Sequence, residues 1–517
     1  MPEVWSISVT RDGLGACALG LDMIRRDYVA RWPMMRVDHV WALDVRTMYW
    51  MIAEALAALG EGLPQGEMPL ALALSSPDRE TACFVDAACQ PLSAVYLDAP
   101  QVMPRREIPD RYAGAPEAAS AYRNSVLRCI QQLRPEFCIN EPPGLATIGA
   151  MVSFALTGHL ADTCIPRGIS PDYPDLDANI YSAAGVSADC SYERVRCGVP
   201  FARISTEIAQ NLGVAQTPLL SALAGVPVFH MGASDSARAY ACAADPLSWS
   251  VVVGNQLRAQ WTAGIGAISG YEIQIVDHAE KTDGSDAPAA EPDAQDAPDE
   301  TKSGSEAPPE ARQQEKSRDE WTRLIHQSLD LDVWPGPGKN LCTYGCVSAP
   351  LRSPVISQMI SACAPHEGIV PFELLSSVPV GSCGLHVIPR SGDIQMVGLT
   401  PAHEPPHVVR AMFEGLLYTL RDWRNALAQP GPVRLMLDKP WPPETIQWAA
   451  DILAHPVFWI DDSAEVLAAM GAALALIRDL DLPVTGKPRL SASIVEPQPR
   501  TAIYLAHYRV HCALKQE

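Results

Sequence analysis

The residue best suited to chemistry is Asp235, in the segment "HMGASDSARAY" (230–240). It follows the apolar stretch "VPVF", which is typical of a buried strand, and nearly all of its neighbours are small. Small neighbours leave a carboxylate open to a substrate oxygen, and a carboxylate can accept the proton of a hydroxyl group. A carboxylate here could equally cap a helix that begins at Ser236. The residues around Asp235 leave both interpretations open.

The elements that must position this residue follow a mixed α/β pattern. In the first half the sequence predicts a hairpin at "TRDGL" between two apolar strands, then a helix that Asp44 caps and Gly60 ends. Short apolar runs at 69–75 and 82–86 predict two further strands. In the second half strands and helices alternate at 248–254 (strand), 407–427 (helix), 432–437 (strand), 444–453 (helix), 456–460 (strand) and 463–480 (helix, capped by Ser463).

The composition indicates a globular chain of two domains. The chain has 517 residues, 48% of them hydrophobic and 19% charged, which is more than one ordinary core holds. The formal net charge of -21 argues against a nucleic-acid groove and against an anionic membrane surface as partners. We find no signal-peptide pattern and no apolar run of membrane-spanning length, so we expect a cytoplasmic protein. The 14 cysteines form no C-x-x-C pair, so we expect reduced thiols and no zinc site.

Two halves that each open on strands and close on helices predict two domains, residues 1–243 and 244–517, with a cleft between them. The second half contains the segment 277–320, which is rich in Asp, Glu, Ala, Pro and Ser and almost free of large apolar residues. Such a segment cannot bury enough apolar area to offset its ordering entropy. We therefore expect a disordered acidic insertion there.

Several separated blocks resemble the FGGY carbohydrate kinases, the family of glycerol kinase and xylulokinase. "HVVRAMFEGLLYTLRDW" and "QWAADILAHPVFWIDDSAEVLAAMGAALAL" are similar to the C-terminal domain of that family. The stretch from Gly398 to Glu414 has nearly the spacing of its second signature, with Ile394 standing where a small residue is expected. In the first half, "SSPDRETACFVD", "LTG" (156–158) and "GVPVFHMGASDSARA" follow the family's order.

The resemblance implies a fold of two ribonuclease-H-like domains of the actin, hexokinase and Hsp70 type, flanking an interdomain cleft. It also implies that ATP with Mg²⁺ occupies this cleft and that the first domain binds a small sugar or polyol. Dimers are common in the family, so a homodimer is compatible with the resemblance, although the residues indicate no interface.

The resemblance also implies roles for individual residues. Asp235 stands where the family has its catalytic base, although Ser234 replaces the glycine before it. Arg79 and Glu80 match the pair that binds the polyol, and an Arg fork beside an acceptor suits vicinal hydroxyls. Asp98 lies where the family often has another polar residue of the pocket; a turn residue is the alternative.

On the nucleotide side the sequence departs from the family pattern at three loops. Thr10-Arg11-Asp12-Gly13 stands where the family has its acidic phosphate hairpin, so the acid and the glycine are absent from their places. Asp12 could act from two residues later, but this would displace the carboxylate by several ångströms, since a strand advances about 3.3 Å per residue. The second phosphate loop keeps Gly254, but Asn255 replaces a hydroxyl residue. The glycine-rich adenosine loop is replaced by "LDKPW" (437–441), although glycines let a backbone approach a nucleotide closely.

The sequence therefore leaves two functions open. One is an ATP-dependent carbohydrate or polyol kinase with an altered nucleotide site, or one that uses another donor such as pyrophosphate or ADP. The other is a pseudokinase, which keeps the scaffold to bind a metabolite or a partner without phosphoryl transfer.

Overall fold

The computed structural model describes residues 2–10, 12–37, 40–61, 63, 67–77, 81–97, 144–163, 192–242, 249–254, 257–262, 272–275, 332–335, 342–348, 354–364, 369–390, 393–426, 432–437, 441–460 and 462–516. The predicted domain boundary at 243/244 and the acidic segment 277–320 lie outside these residues. We call the described residues up to Cys242 the first lobe and those from Trp249 onward the second lobe.

The first lobe is built of short strands and a few helices. Its strands are β1 (Glu3–Val9), β2 (Gly13–Gly20), β3 (Arg25–Arg31), β4 (Met35–Val37), β5 (Val40–Leu43), β6 (Ala71–Ser76), β7 (Cys83–Val85), β8 (Val95–Tyr96), β9 (Gly144–Ala146), β10 (Ala161–Thr163), β11 (Glu193–Val195), β12 (Pro200–Arg203) and β13 (Pro227–Ala233). Its helices are α1 (Val45–Gly60), α2 (Ile148–Thr157), α3 (Ile208–Leu212), α4 (Pro218–Leu223) and α5 (Ser234–Cys242).

Six of these strands form the central sheet, in the order β12-β13-β6-β1-β2-β3. β1, β2 and β3 are antiparallel neighbours, whereas β6 pairs parallel with β1 and β13 pairs parallel with β6. β1 and β2 are buried along their whole length. A strand that is buried on both faces has a nearly continuous run of apolar residues. Both strands could therefore be predicted from the sequence.

The second lobe has a larger sheet and longer helices. Its strands are β14 (Trp249–Val253), β15 (Leu257–Thr262), β16 (Glu272–Ile275), β17 (Asp332–Pro335), β18 (Cys342–Ser348), β19 (His386–Arg390), β20 (Asp393–Val397), β21 (Val433–Leu437), β22 (Val457–Ile460) and β23 (Arg489–Val495). Its helices are α6 (Pro354–Cys363), α7 (Phe372–Ser376), α8 (Pro405–Ala426), α9 (Ile446–Leu453), α10 (Ala464–Asp479) and α11 (Thr501–Gln516).

The second sheet repeats the core of the first. Its order is β16-β23-β22-β21-β14-β15-β18-β17, in which β14, β15 and β18 are antiparallel neighbours and β21 and β22 continue parallel to β14. Three antiparallel strands followed by two parallel ones therefore occur twice. This confirms the predicted fold class of two ribonuclease-H-like units.

Two helices join the lobes at a close crossing. α5, which directly follows β13, packs against α10, and α10 also lies against β1, β2 and β6 of the first sheet. The crossing depends on Gly471, because a Cβ there would lie 1.7 Å from the carbonyl oxygen of Ala237. The Ser6 hydroxyl donates to the carbonyl oxygen of Ala469 at 2.7 Å. A helix from the end of the chain thus completes the core of the first lobe.

The predicted elements largely match the structure. The Asp44 carboxylate accepts from the Thr47 amide at 2.8 Å at the start of α1, and the Ser463 hydroxyl accepts from the Val466 amide at the start of α10. The helix near Asp235 begins at Ser234, two residues earlier than one interpretation expected. Within the described ranges, no helix is long and apolar enough to cross a membrane.

Candidate functional site

The candidate site lies where three parallel strands of the first sheet end together. Ser8 on β1 is paired in register with Ser75 on β6, and their side-chain hydroxyls are hydrogen-bonded at 2.8 Å. Ser76, the last residue of β6, is paired with Ala233, the last residue of β13. Because the carboxyl ends of parallel strands in open α/β sheets are the usual place for ligands, this edge is the candidate binding site.

Asp235 is in the first turn of α5, two residues beyond the end of β13. A carboxylate in the first turn is stabilised by the positive end of the helix dipole. Its Oδ1 accepts a hydrogen bond from Nη2 of Arg238 at 2.6 Å, and the two side chains are 18% and 9% exposed. A charge-assisted pair this short fixes the orientation of the carboxylate and competes with a substrate for Oδ1.

A buried carboxylate, Asp162 on β10, organises the strand ends beneath this edge. Its Oδ1 accepts from the Ser76 hydroxyl at 3.0 Å and from the backbone amide of Thr163 at 2.7 Å. Its Oδ2 accepts from the hydroxyl of Thr147, which also caps α2 by accepting from the Ala150 amide at 3.0 Å. Asp162 therefore links the end of β6, β10 and the start of α2.

His230 on β13 extends this network. Its Nε2 lies 3.1 Å from the Ser153 hydroxyl and 3.6 Å from Oδ1 of Asp162. The Ser153 hydroxyl donates to the Gly149 carbonyl, so the hydrogen-bond pattern assigns the proton of the shared contact to the ring nitrogen. Complete burial lowers the pKa of His230, although nearby Asp162 raises it. The ring is therefore held neutral inside the first lobe.

The β1–β2 hairpin forms as predicted, but its amide groups are bonded within the turn. The amide of Thr10 donates to the carbonyl oxygen of Gly13 at 2.9 Å. The Thr10 hydroxyl in turn accepts from the amides of Asp12 at 3.3 Å and Gly13 at 3.1 Å. A phosphate group is bound by backbone amides that point to it, and here these two donors already have an acceptor.

The same hairpin lies against the start of α10. The Thr10 hydroxyl is 3.4 Å from Oε1 of Glu465, a side chain only 5% exposed. A Cβ on Gly15 would lie 2.1 Å from the Glu465 carbonyl oxygen, so this position must be glycine for the strand and helix to pack. Gly13, predicted as a phosphate contact, is also closely packed, because a Cβ would lie 2.5 Å from the carbonyl oxygen of Ala30.

On the second lobe, Leu437 and Trp441 are the described residues of the segment predicted to replace the adenosine loop, and Trp441 is firmly held. Its indole N–H donates to the carbonyl oxygen of Gly254 at 2.9 Å, and the side chain is 3% exposed. Its ring lies 4.8 Å from that of Phe413 on α8, measured between centroids. The side chain of Trp441 thus links the end of β14 to α8.

The structure describes only some of the predicted site residues. Asp235, Asp12, Gly13 and Gly254 lie at the positions given above. Four others lie outside the described residues: Arg79, Glu80, Asp98 and Asn255.

Sequence reasoning missed Arg238 and the residues around Asp162. The spacing of Asp235 and Arg238, three apart on a helix, could have indicated the ion pair. The histidine within the apolar run "VPVFHM" was a signal of a buried polar network.

Some of the described donors that would face the phosphates of ATP are already engaged. Within the described ranges no group of three or more His, Cys, Asp or Glu side chains could hold a metal ion by itself, and Mg²⁺ bound with a nucleotide takes most of its ligands from phosphates and water. The Asp12 and Gly13 amides of the hairpin donate to the Thr10 hydroxyl, whereas at Gly254 it is the carbonyl oxygen, an acceptor, that is bonded to Trp441. Binding of a phosphate by the hairpin amides would require their bonds to Thr10 to rearrange.

No protein-family model and no curated protein sequence matches the chain. Solved structures do. A xylulose kinase from Rhodospirillum rubrum is 15% identical, with a TM-score of 0.59 over 99% of this chain and 98% of that one. A gluconate kinase from Lactobacillus acidophilus is 14% identical, with a TM-score of 0.57 over 99% and 98%. A Plasmodium falciparum glycerol kinase with ADP is 11% identical, with a TM-score of 0.54 over 100% and 98%. Along nearly its whole length, the chain has the fold of the FGGY carbohydrate kinases.

Proposed function

We propose that the chain is a carbohydrate-kinase homologue of the FGGY type, in which Asp235 is the general base for transfer of a phosphoryl group from ATP to a sugar or polyol hydroxyl. The observation that supports it is the position of Asp235 on the first turn of α5, at the carboxyl end of β13, in a fold shared with kinases of xylulose, gluconate and glycerol. We further propose that it acts in the cytoplasm on a small-molecule acceptor.

In this proposal Arg238 orients the carboxylate of Asp235 through its bond to Oδ1, and the carboxylate accepts the proton of the acceptor hydroxyl as the hydroxyl oxygen attacks phosphorus. Arg238 keeps the carboxylate oriented and is a positioning residue. Phosphoryl transfer needs little more from the protein than such positioning and electrostatic stabilisation, and ATP with Mg²⁺ would supply the phosphoryl group and its neutralisation.

Arg79, Glu80 and Asp98 are proposed to bind the acceptor hydroxyls. β6 ends at Ser76, three residues before Arg79, and β6 is the parallel neighbour of β13. Loops that follow neighbouring parallel strands leave the sheet at the same edge, which is consistent with one shared pocket for Arg79, Glu80 and Asp235.

A second candidate function is a pseudokinase, which binds a metabolite or partner without phosphoryl transfer. The observation that favours it is the bonding of the Asp12 and Gly13 amides to the Thr10 hydroxyl, which leaves these amides engaged within the turn. Each missing contact to a phosphate in the transition state can cost about 10²–10³ in rate, so several lost contacts would abolish useful turnover.

The first test is thermal denaturation of the full chain with and without millimolar Mg-ATP. A ligand that binds only the native state at about 100 times its dissociation constant adds about 2.7 kcal/mol of stability. A clear rise in Tm supports the kinase. An unchanged Tm of a cooperatively unfolding protein contradicts ATP-dependent transfer and favours the pseudokinase.

The second test measures ADP release and phosphorylated product with xylulose, gluconate and glycerol as acceptors. We expect Asp235→Asn to lower kcat by at least 10²-fold while acceptor binding is retained, because the proton acceptor is lost and the side-chain shape is kept. Asp422→Asn, which removes one carboxylate from α8 in the second lobe, is the matched control and should retain turnover. Undiminished turnover in Asp235→Asn would show that Asp235 is not the base.

A further inference from the structure

β13 contains one extra residue just before the candidate base. His230 is paired with Leu74 on β6, and Ala233 is paired with Ser76, so the register shifts between these two pairs. The two residues between His230 and Ala233 therefore form a β-bulge. Bulges are over-represented next to active sites, where they redirect a side chain. Asp235 lies two residues beyond this bulge, in the first turn of α5.

The bulge depends on a glycine. Gly232 has a φ of 96°, a left-handed value that residues with a side chain rarely adopt. Successive side chains of a strand point to opposite faces, so one extra residue changes the face on which every later residue lies. Gly232 therefore helps to set the direction in which the chain leaves β13 and enters α5. The place of the Asp235 carboxylate depends on this direction.

Before the bulge, β13 is held by both the ring and the backbone of His230. Its Nε2 lies 3.1 Å from the Ser153 hydroxyl on α2, and its ring centroid lies 5.5 Å from that of Phe201 on β12. Its carbonyl oxygen accepts from the amide of Gly198 at 2.7 Å. Because the His230 side chain is completely buried, the strand cannot slide along β6 without breaking these contacts.

Beyond the bulge, β13 is held through its neighbour β6. Ala233 is paired with Ser76, and the Ser76 hydroxyl donates to Oδ1 of Asp162 at 3.0 Å. The same oxygen lies 3.6 Å from Nε2 of His230, which precedes the bulge. A Cβ on Gly149 would lie 2.6 Å from Oδ2 of Asp162 and 2.6 Å from the Cβ of Ser76, so this region is closely packed. One carboxylate thus contacts the groups that hold both ends of the bulge.

We propose that Asp162 is a positioning residue for Asp235: it holds the two ends of the β13 bulge in place and so sets where the carboxylate of the base lies at the strand ends. This inference rests on the proposed function. Arg238 orients the same carboxylate from within α5, whereas Asp162 acts through the backbone of β13 and touches no reacting atom. A displacement of about 1 Å at a reacting group can lower a rate by about 10²-fold.

The experiment measures kcat and KM of the full chain and of two variants with xylulose, gluconate and glycerol as acceptors, well below the Tm of each protein. Asp162→Asn weakens the contacts at the ends of the bulge, and Gly232→Ala strains the bulge itself without changing Asp162. We expect each variant to lower kcat and kcat/KM by the same factor, at least about tenfold, because a displaced base weakens an interaction made only in the transition state. Circular dichroism checks that both variants fold.

Each variant has a matched control with the same chemical change. Asp422→Asn alters a carboxylate of α8 that also accepts from three side chains. These are Tyr508 at 2.6 Å, Cys512 at 3.4 Å and Lys515 at 3.1 Å. Gly213→Ala alters a glycine with a φ of 68° at the end of α3. Both controls should keep kcat within about twofold, because well below the Tm nearly every molecule is folded.

The outcomes separate this inference from the proposed function. If the unmodified chain transfers no phosphoryl group to any of the three acceptors, the proposed function fails and the inference fails with it. If the unmodified chain is active and both bulge variants turn over as their controls do, only the inference is overturned. A rise in KM with unchanged kcat also overturns it, since that would be a loss of acceptor binding.

Hydrogen exchange is the second measurement, and it needs no turnover. The amides of residues 231–237 should exchange at least about tenfold faster in Asp162→Asn than in Asp422→Asn, because the bulge opens more often when its ends are released. Equal exchange in these two variants would show that Asp162 does not hold the bulge.

Discussion

The two lobes repeat one sheet topology but fill it with different chemistry. Beneath the strand ends of the first lobe lies a network of buried polar groups centred on Asp162. At the corresponding region of the second lobe lies an aromatic cluster in which Trp441, Phe413 and Trp448 are in contact and the guanidinium of Arg410 lies 3.6 Å above the Trp448 ring. Topology therefore does not fix the chemistry of a site, since buried polar groups meet in one of these two regions and aromatic rings in the other.

The largest effect should come from removing the aromatic cluster. We expect Trp441→Ala to lower the free energy of unfolding by about 3–5 kcal/mol, because it leaves a cavity in a core that cannot close around it. Urea denaturation measures this loss. Trp441→Phe keeps most of the volume and loses the bond to Gly254, so a loss of only about 1 kcal/mol is expected. Equal losses in the two variants would show that packing is not what Trp441 contributes.

The next effect tests whether the two lobes depend on one crossing. Gly471→Ala places a methyl group on the Ala237 carbonyl and should destabilise the chain by about 3 kcal/mol, since overpacking moves backbone. Gly158→Ala is the matched control: its φ of 77° is strained for alanine, but no atom lies within 4 Å of the new Cβ. We expect Gly158→Ala to lower the free energy of unfolding by about 1 kcal/mol. A cost for Gly471→Ala no greater than this would disprove the close crossing.

Within the first lobe, Asp162→Asn should lower the free energy of unfolding by about 1–3 kcal/mol. The amide side chain of asparagine cannot accept hydrogen bonds from all three donors that the carboxylate satisfies. Hydrogen exchange should show the loss of protection at β6 and β13 and little change at β21. Uniform loss across both sheets would contradict a network confined to the first lobe.

The smallest effects concern pH, and they run in opposite directions in the two lobes. His230 has a lowered pKa because it is buried, so the unfolded chain takes up a proton that the folded chain refuses. Its contribution to stability is complete above the unfolded pKa of about 6.5 and is lost as the pH falls below it.

Burial raises the pKa of Glu414 to about 7, although Arg410 at 3.0 Å and the amide of Gly381 lower it. Its contribution is complete below the unfolded pKa of about 4.5 and is lost as the pH rises through about 7. Between pH 7 and 5, acid should therefore destabilise through His230 and stabilise through Glu414, each on the order of 1 kcal/mol.

Tm measured across this pH range for His230→Gln and Glu414→Gln separates the two contributions. The first variant should lose the decline of stability toward acid, and the second should lose the decline toward neutral pH. If each variant follows the unmodified chain at every pH, neither group titrates as described.

Local signals in the sequence predicted much of the fold. The predicted elements lie within about two residues of their observed bounds. The signals that placed them are the Asp-Gly turn, the capping residues Asp44 and Ser463, and the apolar periodicities. The order of the family-like blocks predicted the two-lobed architecture. Each of these signals depends on neighbours in the chain, which is why they can be recognised without a structure.

The site was less predictable because its contacts join distant residues. Asp162 meets Ser76 across 86 positions of sequence, and Trp441 meets Gly254 across 187. The sequence placed Thr10 correctly in the hairpin. It did not predict that the Thr10 hydroxyl accepts hydrogen bonds from amides of the turn, because this depends on the side-chain conformation. The place of Asp235 just after a buried strand was predicted from the apolar run before it, whereas its pairing with Arg238 was missed.

The packing of α10 on the first sheet has a consequence for how the chain folds as it is made. The strands it covers are synthesised first, and the helix that covers them begins at Ala464. Until then, the face of the first sheet against which Leu467 and Leu474 pack stays open to solvent or to chaperones. A chain that ends before Ala464 therefore lacks part of the core of both lobes. Its first lobe is incomplete even though all the strands of that lobe have been synthesised.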